Sequence, residues 1–118
     1  MTRGEIYWAD YGVPFGSETG FRRPVVIVQT NEFNIKELRT VIVVPLTTNL
    51  MLADAPANVY IEKSSSSLSK DSVAVVSQTG AIDKSRLTEK VGEISRYDMA
   101  EIEDGIRLIL GLYCGQYP

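Results

Sequence analysis

The sequence has no histidine and only one cysteine, Cys114, and these two absences exclude several kinds of site. Without histidine there is no Ser-His-Asp triad, no Cys-His pair and no zinc site of the His/Cys type. A lone cysteine cannot form an internal disulfide, which agrees with a reducing compartment, and a thiol near a helix end is more often packed than reactive. Catalysis, if present, must use arginine, lysine, carboxylate, tyrosine or hydroxyl groups.

Long hydrophobic runs are also missing. No apolar stretch reaches the roughly 18 residues that a membrane span needs. The first ten residues, MTRGEIYWAD, carry charges where a signal peptide would have its apolar core. With 118 residues, 44% of them hydrophobic and 23% charged, the composition is that of one globular domain over residues 1–118. We therefore expect a cytoplasmic protein that does not associate with membranes.

The chain lacks an excess of positive charge. Its net charge is −3 and its pI is near 4.9, which argues against a protein that coats nucleic acids nonspecifically. Residues 1–50 carry five basic and five acidic side chains, whereas residues 51–118 carry seven and ten. The first half is therefore the better place for a local anion site.

Short β-strands dominate the pattern that is present. Apolar or alternating segments predict strands at 4–9, 24–29, 40–44, 58–62, 72–78 and about 87–94. The third is expected to end at Pro45, which has no N–H to donate to a ladder. Three of the strands are apolar at nearly every position, which favours a strongly curved sheet or small barrel with apolar packing on both faces.

Helices are fewer. Asn31 is a candidate cap for a short turn that runs through Asn34 to Leu38. Ser95, with Asp98 three residues later, predicts the start of a C-terminal helix. The apolar residues of that helix recur at helical spacing and predict a packing face made of Met99, Ile102, Ile106, Ile109, Leu110 and Tyr113.

Two long loops stand out between the predicted strands. Residues 10–23 contain three glycines and a proline and exceed what a hairpin requires, and such loops tend to be functional. A second loop covers about residues 47–57. The tract Ser64-Ser65-Ser66-Ser67 is of low complexity and is expected to be a mobile connector rather than a site.

Several polar residues near these loops are candidates for chemistry, although each has an ordinary explanation. Arg22 and Arg23 precede Pro24 at a strand entrance, where a guanidinium suits a phosphate but is more often a solvated charge. The hydroxyls of Thr47 and Thr48 could face a ligand or bond to nearby backbone. Similar alternatives hold for the remaining candidates, Ser17, Glu18 and Gln78.

Taken in order, four motifs resemble those of the MazF/PemK family of toxin endoribonucleases. The chain begins Thr2-Arg3-Gly4-Glu5-Ile6-Tyr7-Trp8, and Gly16-Ser17-Glu18 then leads to Arg23-Pro24-Val25. The third strand closes with Val44-Pro45-Leu46-Thr47. Asp71-Ser72-Val73, Gln78 and Ile82-Asp83-Lys84-Ser85-Arg86-Leu87 follow. The resemblance covers the chain from Arg3 to about Tyr113.

The resemblance implies a mainly β fold with some α, a compact SH3-like barrel of the PemK/CcdB type with a C-terminal helix. It also implies a homodimer whose interface groove binds single-stranded RNA, a cognate antitoxin of the MazE kind, and no metal or cofactor. In this family the functional arginine directly precedes the proline and the threonine follows Pro-x, which assigns catalysis to Arg23 and Thr47. The residues expected to contact RNA are Phe15, Ser17, Glu18, Arg22, Thr48 and Gln78.

By the same resemblance, the ribose 2′-hydroxyl attacks the adjacent phosphate. Arg23 would then stabilise the pentavalent anion while Thr47 donates a hydrogen bond to a phosphate oxygen. Glu18 is a candidate base if burial raises its pKa. Two alternatives stay open at this point: a non-enzymatic toxin of the same fold that inhibits a topoisomerase by binding it, and a barrel that only binds RNA or a partner.

Overall fold

The computed structural model describes residues 1–13, 16 and 20–112 of the chain. The predictions made for Phe15, Ser17 and Glu18 lie outside these described residues. So do those for Tyr113 and Cys114.

Seven strands form one antiparallel sheet. They are β1 (Glu5–Asp10), β2 (Arg22–Ile27), β3 (Thr40–Thr47), β4 (Val59–Ile61), β5 (Ser72–Ala74), β6 (Gly80–Asp83) and β7 (Leu87–Glu93). The strand order is β4-β5-β3-β2-β1-β7, with β6 also paired to β3. A mainly β fold with a C-terminal helix is therefore confirmed. Within the part of the chain that the structure describes, no β4–β7 ladder closes the sheet into a barrel.

Strand β3 is the longest and changes partner along its length. Residues 43–45 of β3 pair with β2, whereas Leu46 and Thr47 pair with β5. The missing N–H of Pro45 falls where the pairing changes, and its carbonyl accepts a hydrogen bond from the backbone N–H of Val75 at 2.9 Å. The prediction that the strand ends at Pro45 is therefore wrong, because the ladder has no need of a donor at this position.

The apolar run predicted as one strand over 72–78 is two elements. Strand β5 stops at Ala74, and Val76–Gln78 forms a 3₁₀ turn. Val76 is fully buried, so the run is apolar because it enters the core and not because it is extended. The chain then returns along β3 as β6, a strand that the sequence analysis missed.

The serine tract is bound to its surroundings. Lys63–Ser65 forms a 3₁₀ turn, and Ser66 makes an isolated β-bridge with Ile94. The Ser65 hydroxyl donates to the buried Asp98 carboxylate at 3.1 Å. The expectation of a mobile connector is therefore wrong, because these hydroxyls join the segment to the start of the last helix.

Helix α1 (Asn31–Asn34) is shorter than predicted, and its cap is Thr30 rather than Asn31. The side-chain amide oxygen of Asn31, Oδ1, instead accepts a hydrogen bond from the backbone N–H of Arg3 at 2.7 Å. Asn31 therefore ties the N-terminal segment to the end of β2 instead of starting a long turn.

Helix α2 (Arg96–Leu110) begins as predicted, with the Ser95 hydroxyl accepting from the backbone N–H of Asp98 at 3.1 Å. Met99 and Ile102 are buried, but Ile109 and Leu110 are 43% and 61% exposed. The predicted packing face is therefore correct for the first half of the helix and wrong for the second half within one chain. No helix in the described ranges is long and apolar enough to span a membrane.

The two faces of the sheet carry separate apolar clusters. One face packs against α2 and includes Ile6, Val26, Val44, Leu46 and Ile102. The other holds Ala9, Val25, Ile27, Val43 and Ile82, with Tyr11 against it. Successive residues of a strand point to opposite faces, so β2 and β3 contribute alternately to both clusters. This accounts for their nearly continuous apolar sequences.

Candidate active site

Arg23 and Thr47 lie at the same end of the β2–β3 pair. Val25 of β2 is paired with Pro45 of β3. Arg23 is two residues before Val25, and Thr47 is two residues after Pro45. Because side chains alternate, both residues take the sheet face that Val25 faces, away from α2. The structure thus places the two predicted catalytic residues on one face at one strand end.

Local contacts fix the position of both side chains. The backbone of Arg23 pairs with Ala9 in β1, and its Nε donates to the Gly20 carbonyl at 3.1 Å. The side chain of Arg23 is half-buried. The Thr47 hydroxyl oxygen accepts from the backbone N–H of Asn49 at 3.2 Å, which leaves its own proton available for donation. A positioned guanidinium and a hydroxyl donor can together bind a phosphate through charge-assisted and neutral hydrogen bonds.

Tyr11 is a third member of this face that the sequence analysis did not single out. It follows β1 directly, and its backbone N–H donates to the Phe21 carbonyl at 2.9 Å. Burial raises the pKa of Tyr11 to about 12, although the nearby charge of Arg23 opposes the rise. The phenol therefore stays protonated near neutral pH, so it can donate a hydrogen bond but cannot act as a base.

Arg22 and Thr48 belong to the opposite face. Arg22 lies over the indole of Trp8, with its guanidinium carbon 4.3 Å from the ring centroid. Thr48 is exposed and lines a groove with Trp8 and Pro24. Two neighbouring arginines and two neighbouring threonines are thus separated by the strand alternation, one of each on either side of the sheet.

Gln78 is not brought to the same strand end. The turn that contains it lies alongside residues 43–45 of β3, because Val75 bonds to Pro45 and Gly80 pairs with Val43. Its side chain is exposed there. Within one chain, therefore, Gln78 is displaced along β3 from Thr47.

Arg86 adds a cation that the sequence analysis did not assign to the site. Its Nη1 donates to the Asp10 carbonyl at 3.1 Å, at the start of the 10–23 loop. The sequence contains only a weak indication of this role, because Arg86 is far from the 10–23 loop in sequence. It reaches the loop through the pairing of β1 with β7. Among the residues that the structure describes, no group of three or more carboxylate or cysteine side chains is arranged to hold a metal ion.

Comparison with known proteins decides the family. A family model described as the PemK-like, MazF-like toxin of type II toxin-antitoxin systems matches residues 2–110. The chain belongs to this family. Endoribonuclease MazF6 of Mycobacterium tuberculosis is 40% identical over 112 residues, covering 95% of this chain and 98% of its own. Endoribonuclease MazF of Staphylococcus saprophyticus is 43% identical over 113 residues, covering 96% and 93%.

Solved MazF structures agree with the fold. A mycobacterial endoribonuclease in complex with its cognate antitoxin superposes with a TM-score of 0.77 at 25% identity, covering 100% of this chain and 99% of that one. MazF from Deinococcus radiodurans superposes with a TM-score of 0.80 at 21% identity, covering 95% and 97%. The resemblance inferred from the four motifs, to a family of toxin endoribonucleases, is confirmed.

Proposed function

We propose that this MazF-family toxin cleaves single-stranded RNA at a short sequence, without a metal ion, by attack of a ribose 2′-hydroxyl on the adjacent phosphate. The observation that carries the proposal is the placement of Arg23 and Thr47 on one sheet face at one strand end. In this reaction the substrate provides its own nucleophile. The protein has only to orient the phosphate, stabilise its added charge and manage two protons.

In the proposed reaction, one oxygen–phosphorus bond forms and another breaks. The 2′-oxygen forms a bond to phosphorus and loses its proton to a base, while the bond to the 5′-oxygen breaks and that oxygen gains a proton. The products are a 2′,3′-cyclic phosphate and a 5′-hydroxyl end. Arg23 stabilises the pentavalent anion, and the Thr47 hydroxyl donates to a phosphate oxygen.

The proton transfers need a group other than these two. A guanidinium with a pKa above about 12 is a poor acid or base near neutrality. Tyr11 stays protonated because burial raises its pKa to about 12. For the base we propose Glu18, on the condition that burial raises its pKa. The proposed RNA contacts come from Phe15, Ser17, Glu18, Arg22, Thr48 and Gln78.

The decisive experiment is incubation of the purified protein with a mixed pool of single-stranded RNA, followed by mapping of the new 5′ ends. We expect 5′-hydroxyl ends at one short sequence, also in excess chelator. A single 2′-deoxyribose at the cut position should abolish cleavage there. Efficient cutting of the deoxy-substituted strand would contradict the mechanism. Complete absence of cutting would favour a toxin that acts by binding, such as a topoisomerase inhibitor.

The proposed working form is a homodimer. An apolar face remains open beside β6 and the second half of α2, and we define this dimer face as Ile42, Ile106, Ile109 and Leu110. Grooves of about 310 and 360 Å³ run across it. Contiguous exposed apolar surface of this kind is typical of an interface. Because Ser77 and Thr79, the chain neighbours of Gln78, line one of these grooves, dimer formation would place Gln78 at the edge of a groove between two chains.

The proposed regulator is a cognate antitoxin of the MazE kind, which would act with the toxin in the cytoplasm. An extended acidic and apolar tail fits the cations around the 10–23 loop, Arg22, Arg23 and Arg86, despite the net charge of −3. Such a tail competes with RNA phosphates for the same guanidinium groups.

A further inference from the structure

Next to Arg22 the sheet carries a groove of about 270 Å³ that the cleavage chemistry does not use. Its lining residues come from five separate parts of the chain: Trp8, Pro24, Thr48, four residues of the 68–72 segment, and Val91. Trp8 and Pro24 are direct partners in the β1–β2 ladder, so the aromatic wall of the groove is part of the rigid sheet.

The chemistry of this groove suits a nucleotide. Its walls offer an indole and aliphatic side chains, its rim offers hydroxyls from Thr48 and Ser69, and Lys70 is the charged residue of its lining. Among the described residues, no carboxylate lines it. The guanidinium of Arg22 lies over the indole, 4.3 Å from the ring centroid. Aromatic rings and guanidinium planes are the surfaces on which unpaired bases stack, and lysine neutralises the phosphate.

The position of the groove relative to the cleavage residues is equally specific. Arg22 is the neighbour of Arg23 and Thr48 is the neighbour of Thr47, but each neighbour faces the other side of the sheet. Adjacent Cα atoms are only about 3.8 Å apart. An RNA strand whose scissile phosphate lies at Arg23 therefore reaches the groove by turning around one strand end.

We propose that this groove, hereafter the Trp8 groove, binds one unpaired nucleobase close to the cut, stacked on the Trp8–Arg22 pair, with Lys70 neutralising that nucleotide's phosphate. The inference rests on the proposed endoribonuclease function and adds a specificity subsite on the face opposite the reacting phosphate. Stacking accepts any base, whereas the hydroxyls of Thr48 and Ser69 discriminate between base edges.

Trp8 itself reports on the test, because it is the one tryptophan of the sequence. RNA with a 2′-deoxyribose at the mapped cut position stays intact while it binds. Each flanking nucleotide is made abasic in turn, and both Kd and tryptophan emission are measured. We expect binding to quench the emission. At one position the abasic change should remove the quenching and weaken binding by about 5- to 150-fold, the usual range for one stacked base.

Two variants keep the result independent of folding defects. In Trp8→Leu, the same abasic change should cost little affinity, because the stacking partner is already gone. Lys70→Met changes an exposed side chain and should raise KM several-fold while kcat changes little. The matched control is Lys36→Met, which changes an exposed lysine beyond α1 at the opposite end of β2 and should bind RNA as the wild type does.

Each outcome decides between the two proposals. If RNA is bound and cut but no flanking position shows a penalty that depends on Trp8, the base subsite is wrong and the endoribonuclease stands. If no RNA is bound or cut, the proposed function fails and the subsite fails with it. If only an antitoxin peptide alters the emission of Trp8, the groove is a protein-binding site and the inference is overturned.

Discussion

At the scale of single residues, strand alternation assigns different roles to neighbours that the sequence presents as equivalent. Arg22 and Arg23 are both basic and both precede a strand core, yet one stacks on Trp8 and the other shares a face with Tyr11 and Thr47. A one-residue step in a strand exchanges the two faces completely. The chemistry of the site is therefore sensitive to register in a way that charge counts are not.

Replacement of each arginine tests this assignment. Arg23→Ala should keep the fold and reduce RNA cleavage by at least about 100-fold, the scale of losing one preorganised transition-state donor. Arg22→Ala should cost much less, and mainly in binding. Single-turnover cleavage rates and circular dichroism of both variants provide the measurement. Equal losses, or a loss confined to Arg22→Ala, would reverse the assignment.

The sequence identified Arg23 and Thr47 because their motifs are local: Arg23 directly precedes Pro24, and Thr47 is two residues after Pro45. It could not identify Tyr11, Arg86 or the Trp8 groove. These depend on the pairing of β1 with β2 and β7, which joins residues up to about 80 positions apart, as in the contact of Arg86 with Asp10. No local pattern encodes such a contact, so this half of the site appears only in the folded chain.

At the scale of elements, α2 packs closely on the turn after β5. A Cβ at Gly105 would lie 2.4 Å from the Ala57 carbonyl oxygen and 3.3 Å from both methyls of Val76. Glycine is unfavourable inside a helix by about 1 kcal/mol relative to alanine, so the close approach explains its presence here. The apolar spacing in the sequence predicts helix α2, but it does not predict how closely α2 approaches its neighbours. That distance depends on the contact at Gly105.

Gly105→Ala should therefore lower the free energy of unfolding by about 1–3 kcal/mol despite its better helix propensity. The matched change is Gly80→Ala, where the nearest atom to the added Cβ is 3.9 Å away and little loss is expected. Urea denaturation of both variants measures the difference. A Gly105→Ala protein more stable than the wild type would show that the helix yields at this contact.

The seam between β1 and β7 is charged. Glu5 Oε2 lies 2.7 Å from Lys90 Nζ. Burial raises the pKa of Glu5, but hydrogen bonds from Lys90, the Thr2 backbone and Tyr7 together outweigh burial and lower it. A carboxylate with a lowered pKa contributes stability above its unfolded pKa of about 4.3, and that contribution is lost as pH falls through the folded value.

Glu5→Gln should therefore be less stable than the wild type near pH 7 and should approach it as pH falls from about 5 to 3. Thermal melting across this pH range is the measurement, with Glu89→Gln, an exposed glutamate of the same seam strand, as the comparison. A constant difference between Glu5→Gln and the wild type at every pH would mean that the loss is one of packing rather than charge.

At the scale of the whole molecule, the proposed homodimer would bury the apolar residues that the second half of α2 leaves exposed. Ile109→Glu places a charge on this face and should shift the protein from about twice the 13.1 kDa chain mass to the monomer. Ile35→Glu changes a side chain that is 85% exposed elsewhere and should leave the mass unchanged. Light scattering after size exclusion gives both masses. A wild type that is monomeric at micromolar concentration would contradict the proposal.

If RNA and antitoxin both bind Arg23 as proposed, control of the toxin depends on which of the two ligands is bound there. Bound antitoxin should exclude RNA, and Arg23→Glu should weaken both interactions because each uses the same guanidinium. Stepwise titration of antitoxin into labelled, uncleavable RNA bound to the toxin measures the competition. A stable ternary complex with undiminished RNA affinity would show that inhibition acts from another surface.

The pairing of β1 with β7 also limits how early the proposed site can assemble during synthesis of the chain. Strand β1 begins at Glu5, but the edge that pairs with β7 has no partner until Leu87–Glu93 has been synthesised. Arg86, which holds the start of the 10–23 loop, arrives at the same moment. A nascent chain still on the ribosome therefore lacks an assembled site for most of its translation. We therefore expect a nascent chain to gain RNA-cleaving activity only after the last strand has been added.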